Sequence, residues 1–281
     1  MLRRTLPSLA GRRVLITGAA RGIGAALAER LHDRGAQVAL AGLEPDLLAG
    51  VADPLDAPWW SCDVTDRAQV AEVVDAAAER LGGLDVVVAN AGVAAQVPLV
   101  GGAPDIFERI QRVNVLGTYN TFRAAGPHIS HERGYALAVS SLGGAVHVPL
   151  LGAYSASKAA VEALGNTMRV ELRPSGAKAG VAYFAELDTD MTSRGFDTQA
   201  ARRFLGERSI TKVSPLRLGI DALERGIARR SRFVVAPSWV GPILPIRMVA
   251  QPVVELAVRR RVAPALAVAR EESVELTTPQ P

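Results

Sequence analysis

The chain has 281 residues, 49 % of them hydrophobic, enough to bury the core of one large α/β domain or two small ones. Its net charge of +4 comes from scattered basic residues, and aromatics make up only 5 %, so a stacking platform for nucleic acid is not indicated. The single cysteine, Cys62, excludes an internal disulfide framework and leads us to expect a reducing, cytoplasmic setting.

Met1-Leu2-Arg3-Arg4 looks like the start of a secretion signal, but Pro7 and Arg12-Arg13 leave no apolar stretch behind it, so secretion is not expected. There is no unbroken run of about 18 apolar residues, and no transmembrane helix is expected. Arg13-Val14-Leu15-Ile16-Thr17 reads as a buried strand running into Gly18-Ala19-Ala20-Arg21-Gly22-Ile23-Gly24. A helical pattern, Ala26-Leu27-Leu31, follows and stops near Gly35. Strand, glycine-rich turn and helix together suit a pyrophosphate approaching a helix N-terminus, whose free N–H groups and dipole favour anions. The spacing Gly-x3-Gly-x-Gly is not the usual dinucleotide fingerprint, and a plain tight turn stays open on this motif alone.

Gln37 to Ala41 is the next strand. An acidic residue at such a strand's tip accepts the adenosine ribose hydroxyls, but here the tip is Gly42, followed by Leu43 and Glu44. With Arg21 in the phosphate loop, that end favours NADP(H) over NAD(H), although Glu44 is able to swing in. Asp63, after the short strand Trp59–Cys62, is either an acceptor for an adenine amino group or the cap of the helix beginning near Asp66. That helix carries Val70, Val73 and Val74 on one face. The strand Leu84–Val88 ends in Asn90-Ala91-Gly92, small residues that suit close passage of a ligand. Strands and helices alternating at this rhythm predict an α/β fold, a doubly wound parallel sheet with ligands at its carboxyl edge.

A long helix is expected from Phe107 to Ala124 with Asn114 in its middle, where Asn is a poor helix former and a surface position is the plain explanation. Tyr135–Val139 is the fifth strand, with Ser140-Ser141 at its tip. The helix from Ala153 carries Tyr154 and Lys158, four apart and so on one face. An unperturbed Tyr ionises near pH ~10, and a neighbouring cation brings that down towards the range of useful acid/base chemistry.

Thr17-Gly18-x3-Gly22-x-Gly24, Asn90-Ala91-Gly92, Asn114, Ser141 and Tyr154-x3-Lys158, in this order, resemble the short-chain dehydrogenase/reductase family over about residues 10 to 240. The resemblance implies a Rossmann fold in a single domain, residues 1–240, with a C-terminal extension, 241–281. It implies an NAD(P)-dependent oxidoreductase moving a hydride between a nicotinamide and a secondary alcohol or ketone. Tyr154 would be the general acid/base and Lys158 would lower its pKa and hold the nicotinamide ribose. Ser141 would bind the substrate oxygen, and Asn114 would support a relay water. Gly18, Ala20, Arg21, Gly22, Ile23 and Gly24 would hold the cofactor phosphates. Gly42, Leu43, Asp63 and Val64 would line the adenosine side, and Asn90, Ala91, Gly92, Leu187 and Thr189 the remainder. The family's Pro-Gly pair after the sixth strand is replaced by Phe184-Ala185, which puts the backbone there in doubt. A homodimer or homotetramer is expected on the same ground. The alternative is a non-catalytic dinucleotide-binding sensor or scaffold on the same fold.

Met191 to Lys212 falls where the family carries a substrate lid; Gly195, Phe196, Phe204 and Leu205 would make it apolar and suit a lipophilic substrate, unless they form an ordinary amphipathic helix pair. Phe233–Ala236 reads as the last strand. Beyond it, Trp239 to Val268 is apolar but carries Pro242, Pro245, Pro252 and Pro264, which are expected to interrupt any long helix, and Arg259-Arg260-Arg261. We rank packing on a partner subunit first for this segment, then a cover over the site, then peripheral membrane contact. The tail from Glu271 to Pro281 is expected to be disordered. The four histidines show no metal-ligand spacing, and His147 alone lies near the expected site. Ser141 lacks the flanking glycines of a nucleophile elbow, which argues against a hydrolase.

Overall fold

The computed structural model describes residues 6–195, 198–205, 211–272 and 274–278. Its strands are β1 (Arg13–Thr17), β2 (Gln37–Gly42), β3 (Trp59–Ser61), β4 (Val86–Ala89), β5 (Tyr135–Val139), β6 (Lys178–Phe184) and β7 (Phe233–Ala236). Their apolar runs are continuous because the sheet they form is covered on both faces. Along β1, Val14 and Ile16 point into one core layer and Leu15 into the other, following the two-residue period of a strand.

All pairings are parallel and the strand order is β3-β2-β1-β4-β5-β6-β7. One face is covered by α1 (Gly22–Asp33), α2 (Pro45–Ala52) and α9 (Leu216–Arg229), the other by α3 (Arg67–Leu81), α5 (Gly117–Ile129) and α6 (Gly152–Glu171). The chain leaves β1 in one direction along the sheet and returns to continue from β4 in the other. The connections after β1 and β4 therefore diverge, leaving a crevice at their carboxyl ends. Buried Glu224 of α9 accepts hydrogen bonds from Arg30 and Arg34 of α1 at 2.8 and 2.7 Å, tying two neighbouring helices together. Burial alone would raise its carboxyl, but the two guanidinium hydrogen bonds outweigh that and hold it below the usual range.

Several sequence expectations change. The long helix around Asn114 is instead α4 (Pro104–Gln111), a π-helical segment (Arg112–Leu116) and α5, and Asn114 is fully buried, not a surface residue. Widened π turns of this kind frequently occur at functional sites. Asp66 rather than Asp63 caps α3, accepting from the Ala68 and Gln69 amides at 2.8 and 3.2 Å; the Asp63 carboxylate accepts from the Thr65 amide. The prolines after Trp239 do not break the chain into pieces, because α10 (Val240–Ala269) runs for 30 residues through Pro245, Pro252 and Pro264.

Each of those prolines removes one donor and frees the carbonyl four residues earlier, at Gly241, Met248 and Arg260. The last two are exposed residues whose carbonyls water can satisfy. By length and composition α10 also reaches the level of a membrane-crossing helix, although prolines and arginines keep its unbroken apolar runs short. Past α10 the described tail residues are anchored where disorder was expected. Thr277 is buried, its amide donates to Ala94 O at 3.1 Å, and its hydroxyl accepts from Ala94 N at 3.0 Å.

Candidate active site

At the crevice, β1 passes through Gly18 into the N-terminus of α1. Gly18 sits at φ +65°, and a Cβ there would lie 2.6 Å from Ala91 Cα; a Cβ on Gly24 would lie 2.2 Å from Gly18 O. These glycines therefore press the turn, the helix start and the β4 tip together. Asn90 locks the arrangement, its side-chain amide donating to the carbonyls of Thr17 and Gly18 at 3.1 and 2.9 Å. α1 has no side-chain cap and no acidic residue in its first turn. Its first amides and the positive end of its dipole are left for an external anion.

Arg21, immediately before α1, is engaged by two carboxylates. It donates through Nε to Glu44 at 2.9 Å, makes a second, shorter contact to the other Glu44 oxygen, and reaches Asp190 at 3.4 Å. The sequence reading left Arg21 free for a phosphate; folding instead brings Glu44 across from the β2 tip to neutralise it.

The second half of the constellation rests on α6. Tyr154 and Lys158 are both buried, with the Lys158 Nζ 5.7 Å from the Tyr154 ring centroid and donating to Val139 O at 2.9 Å. Desolvation pushes the Lys158 ammonium down to about 8. Burial raises the Tyr154 hydroxyl, and a hydrogen bond with Ser141 pulls it partly back. The expected depression of the Tyr154 pKa by Lys158 is thus absent from the protein alone: burial dominates, and the ammonium is turned towards Val139 O.

Ser141, at the β5 tip, accepts from the Gly143 amide at 3.1 Å. Asn114 sits behind this row: its Oδ1 accepts from Val93 N at 2.8 Å, and its Nδ2 donates to Val93 O at 3.0 Å and Ser157 Oγ at 2.9 Å. Ser157 in turn donates to Tyr154 O at 2.7 Å. Asn114 therefore braces the strand after β4 against the turn of α6 that carries Tyr154.

One cavity of about 550 Å³ joins both halves. Of the residues expected to hold a cofactor, Gly18, Ala20, Arg21, Gly22 and Ile23 line it, as do Gly42, Leu43, Asp63 and Val64. Asn90, Ala91, Gly92, Leu187 and Thr189 follow, and then Ser141, Tyr154 and Lys158. Gly24 and Asn114 do not line it; they support its wall. Phe184 and Ala185, which replace the family pair, do line it, and the Ala185 amide donates to Ala236 O at 3.0 Å, so the backbone there is held in the sheet's edge.

Of the lid candidates, Phe204 of α8 (Gln199–Leu205) is buried and lines the cavity. Gly195 ends α7 (Asp190–Gly195); its surroundings, Phe196 and the Leu205 side chain lie outside the described residues. His147 borders a separate surface pocket beside Glu162 and Arg247, not this cavity. Sequence reasoning missed Ile243, Val254 and Val258 of α10 and the tail residues Thr277 and Thr278, all of which line the cavity. The i, i+4 pairing of Val254 and Val258 was the available signal, obscured by the prolines around it.

The chain matches the family model described as short chain dehydrogenase over residues 12–200. It is 30 % identical over 261 residues to the 11-beta-hydroxysteroid dehydrogenase-like 2 of Arabidopsis thaliana, covering 88 % of this chain and 80 % of that one. It is 36 % identical over 211 residues to the glycine betaine reductase ATRR of Emericella nidulans; that match takes in 73 % of this chain and only 16 % of that much longer protein. In fold it is similar, with a TM-score of 0.73 and 24 % identity, to a Burkholderia phymatum short-chain dehydrogenase/reductase solved in complex with NAD, covering 89 % of this chain and 96 % of that one. Fold, motif geometry and matched span agree: the chain belongs to the short-chain dehydrogenase/reductase family of oxidoreductases.

Proposed function

We propose that the protein catalyses reversible hydride transfer between a nicotinamide dinucleotide and a secondary alcohol or ketone, with Tyr154 as the general acid/base. The observation that carries this reading is the cavity of about 550 Å³ lined both by Tyr154, Ser141 and Lys158 and by the glycine turn before the uncapped α1 N-terminus. The residues present fit the cofactor, since a Cβ on Gly24 or Gly18 would collide with its neighbours and collapse the cradle. On this reading Gly18, Ala20, Arg21, Gly22 and Ile23, with Gly24 behind them, hold the phosphates. Gly42, Leu43, Asp63 and Val64 hold the adenosine, and Asn90, Ala91, Gly92, Lys158, Leu187 and Thr189 the nicotinamide ribose and carboxamide. When bound, the dinucleotide supplies or takes up the hydride.

The protein's part is positioning and proton traffic. In the reductive direction Ser141 and Tyr154 hydrogen-bond the substrate oxygen, and Tyr154 gives it a proton as negative charge grows there. Lys158, while protonated, stabilises the phenolate left behind. Asn114 holds Ser157 and Val93, and through them the turn of α6 carrying Tyr154 and the strand end at Gly92; this fixes the row and offers a place beside Lys158 for a relay water. Phe204, Val254 and Val258 make the substrate side apolar, which suits a lipophilic carbonyl.

NADP(H) is the preferred form on this reading, because Gly42 presents no carboxylate to the ribose and Arg21 stands in the same wall; Glu44 and Asp190 partly neutralise Arg21 and keep the preference modest. Replacing Tyr154 by Phe tests the mechanism. Turnover with a carbonyl panel is expected to fall by about 100-fold to 10,000-fold, with cofactor affinity by fluorescence titration nearly unchanged. Full turnover in that variant rejects the assignment and leaves the fold as a dinucleotide-binding module.

A further inference from the structure

The inner side of α10 borders the cavity through Ile243, Val254 and Val258. Its outer side is uncovered and also apolar: Ile246 is 54 % exposed, Val249 70 %, Val253 64 % and Leu256 61 %. Spaced by three, four and three residues, these four form one continuous stripe, and Met248 beside it is 83 % exposed. A contiguous apolar patch of this kind marks an interaction surface. The stripe ends at Arg259-Arg260-Arg261, all exposed and with no ion-pair partner among the described residues.

We propose that the outer face of α10 docks on an anionic phospholipid bilayer, with the helix lying along the surface. A crossing orientation is disfavoured because both ends of the helix are tied to the fold. Near the N-terminal end, Arg247 pairs with Glu162 at 2.9 Å and Gln251 exchanges hydrogen bonds with the His147 backbone. At the C-terminal end, Ala265 and Ala269 are buried, Ala269 against Leu150 and Ala200. Charge complementarity selects the occupant. From residue 240 to 269 the only carboxylate is Glu255, so a second copy pairing through this face brings one anion per three arginines, whereas a layer of anionic headgroups matches all three. The same helix then touches lipid on one side and borders the substrate cavity on the other.

Co-sedimentation of the full chain with vesicles tests this without cofactor or turnover, so its outcome is independent of the redox reading. Binding to phosphatidylcholine/phosphatidylglycerol (3:1) vesicles is expected to exceed binding to pure phosphatidylcholine by on the order of 100-fold at low salt, and to weaken as salt rises. The double variant Val249→Glu with Val253→Glu, whose side chains face away from the cavity, should lose at least tenfold on both vesicle types while its melting temperature stays put. Replacing all three arginines by Gln should erase the difference between the two vesicle types. A wild-type chain that stays in the supernatant with both, or a double variant that binds as wild type does, overturns the proposal. Equal binding of the wild type to both vesicles overturns the anionic assignment, and a dimer lost in the double variant without any vesicle binding assigns the face to a second copy instead.

Discussion

At the scale of single residues, burial separates what Tyr154 and Lys158 do in the folded protein from what their spacing alone suggests. Desolvation disfavours both charged forms, raising the phenol and lowering the ammonium to about 8. The lowered Lys158 has a thermodynamic signature whose sign follows directly. Below pH 8 both states hold the proton; from there to the unfolded value of 10.5 the unfolded chain binds more protons, so stability rises with pH. Between pH 8 and pH 10 we expect the wild type to gain on the order of 2 kcal/mol relative to Lys158→Met in urea titrations of the protein alone; the raised Cys62 thiol and buried tyrosines act in the opposite direction but are common to both chains. The proposed cofactor preference also turns on single residues. Glu44→Gln should release Arg21 from its strongest ion pair and tighten NADP(H) by about tenfold, roughly 1.4 kcal/mol, with little change for NAD(H); parallel fluorescence titrations check it, and an unchanged ratio removes Arg21 from the ribose site. The Arg21–Glu44 pair was not legible in the sequence, because the two residues are 23 positions apart and meet only when β1 and β2 pair.

At the scale of elements, local pattern was a good guide wherever hydrophobic period and punctuation agreed. The strands β1, β2, β4, β5 and β7 and the helices α1, α3 and α6 lie where apolar runs and caps put them. The pattern misled where one residue type carries two meanings. Asn114 is a poor helix residue by propensity, yet the fold opens a π turn around it and satisfies its amide completely. Pro245, Pro252 and Pro264 break helices in isolation, yet α10 continues because packing on α8 and the cavity wall outweighs a few lost hydrogen bonds. Helix pairing depends on long-range contacts of the same kind. Glu224→Ala removes the buried acceptor shared by Arg30 and Arg34 and should destabilise the fold by about 1 to 3 kcal/mol in chemical denaturation, because Arg30 keeps its 2.6 Å bond to Asp221 and Arg34 stays half exposed to water. Because the Glu224 carboxyl is held below its usual range, the wild type should lose that contribution as the pH falls through the folded value, while the variant should show no such loss.

At the scale of the whole molecule, the site is closed by parts of the chain far apart in sequence. Glu272 accepts from the first amides of α8, Gln199 and Ala200, at 2.7 and 3.0 Å, and Thr277 is stitched to Ala94. Deleting residues 271–281 should free α8, raise KM for a lipophilic carbonyl by about tenfold, roughly 1.4 kcal/mol of binding, and speed proteolysis within α8. Unchanged kinetics would show that the tail does not close the cavity. The sequence by itself determined the doubly wound sheet and most of the residues from Gly18 to Lys158 that line the cavity at its carboxyl edge, because a strand's period, a turn's glycines and a helix's i, i+4 geometry are local properties of the chain. Only the tertiary structure decided that Glu44 holds Arg21, that Asn114 braces Tyr154 through Ser157, and that α10 runs unbroken along the cavity with an apolar outer face. Those outcomes depend on which distant surfaces meet and which are left facing outwards, and no local pattern encodes that.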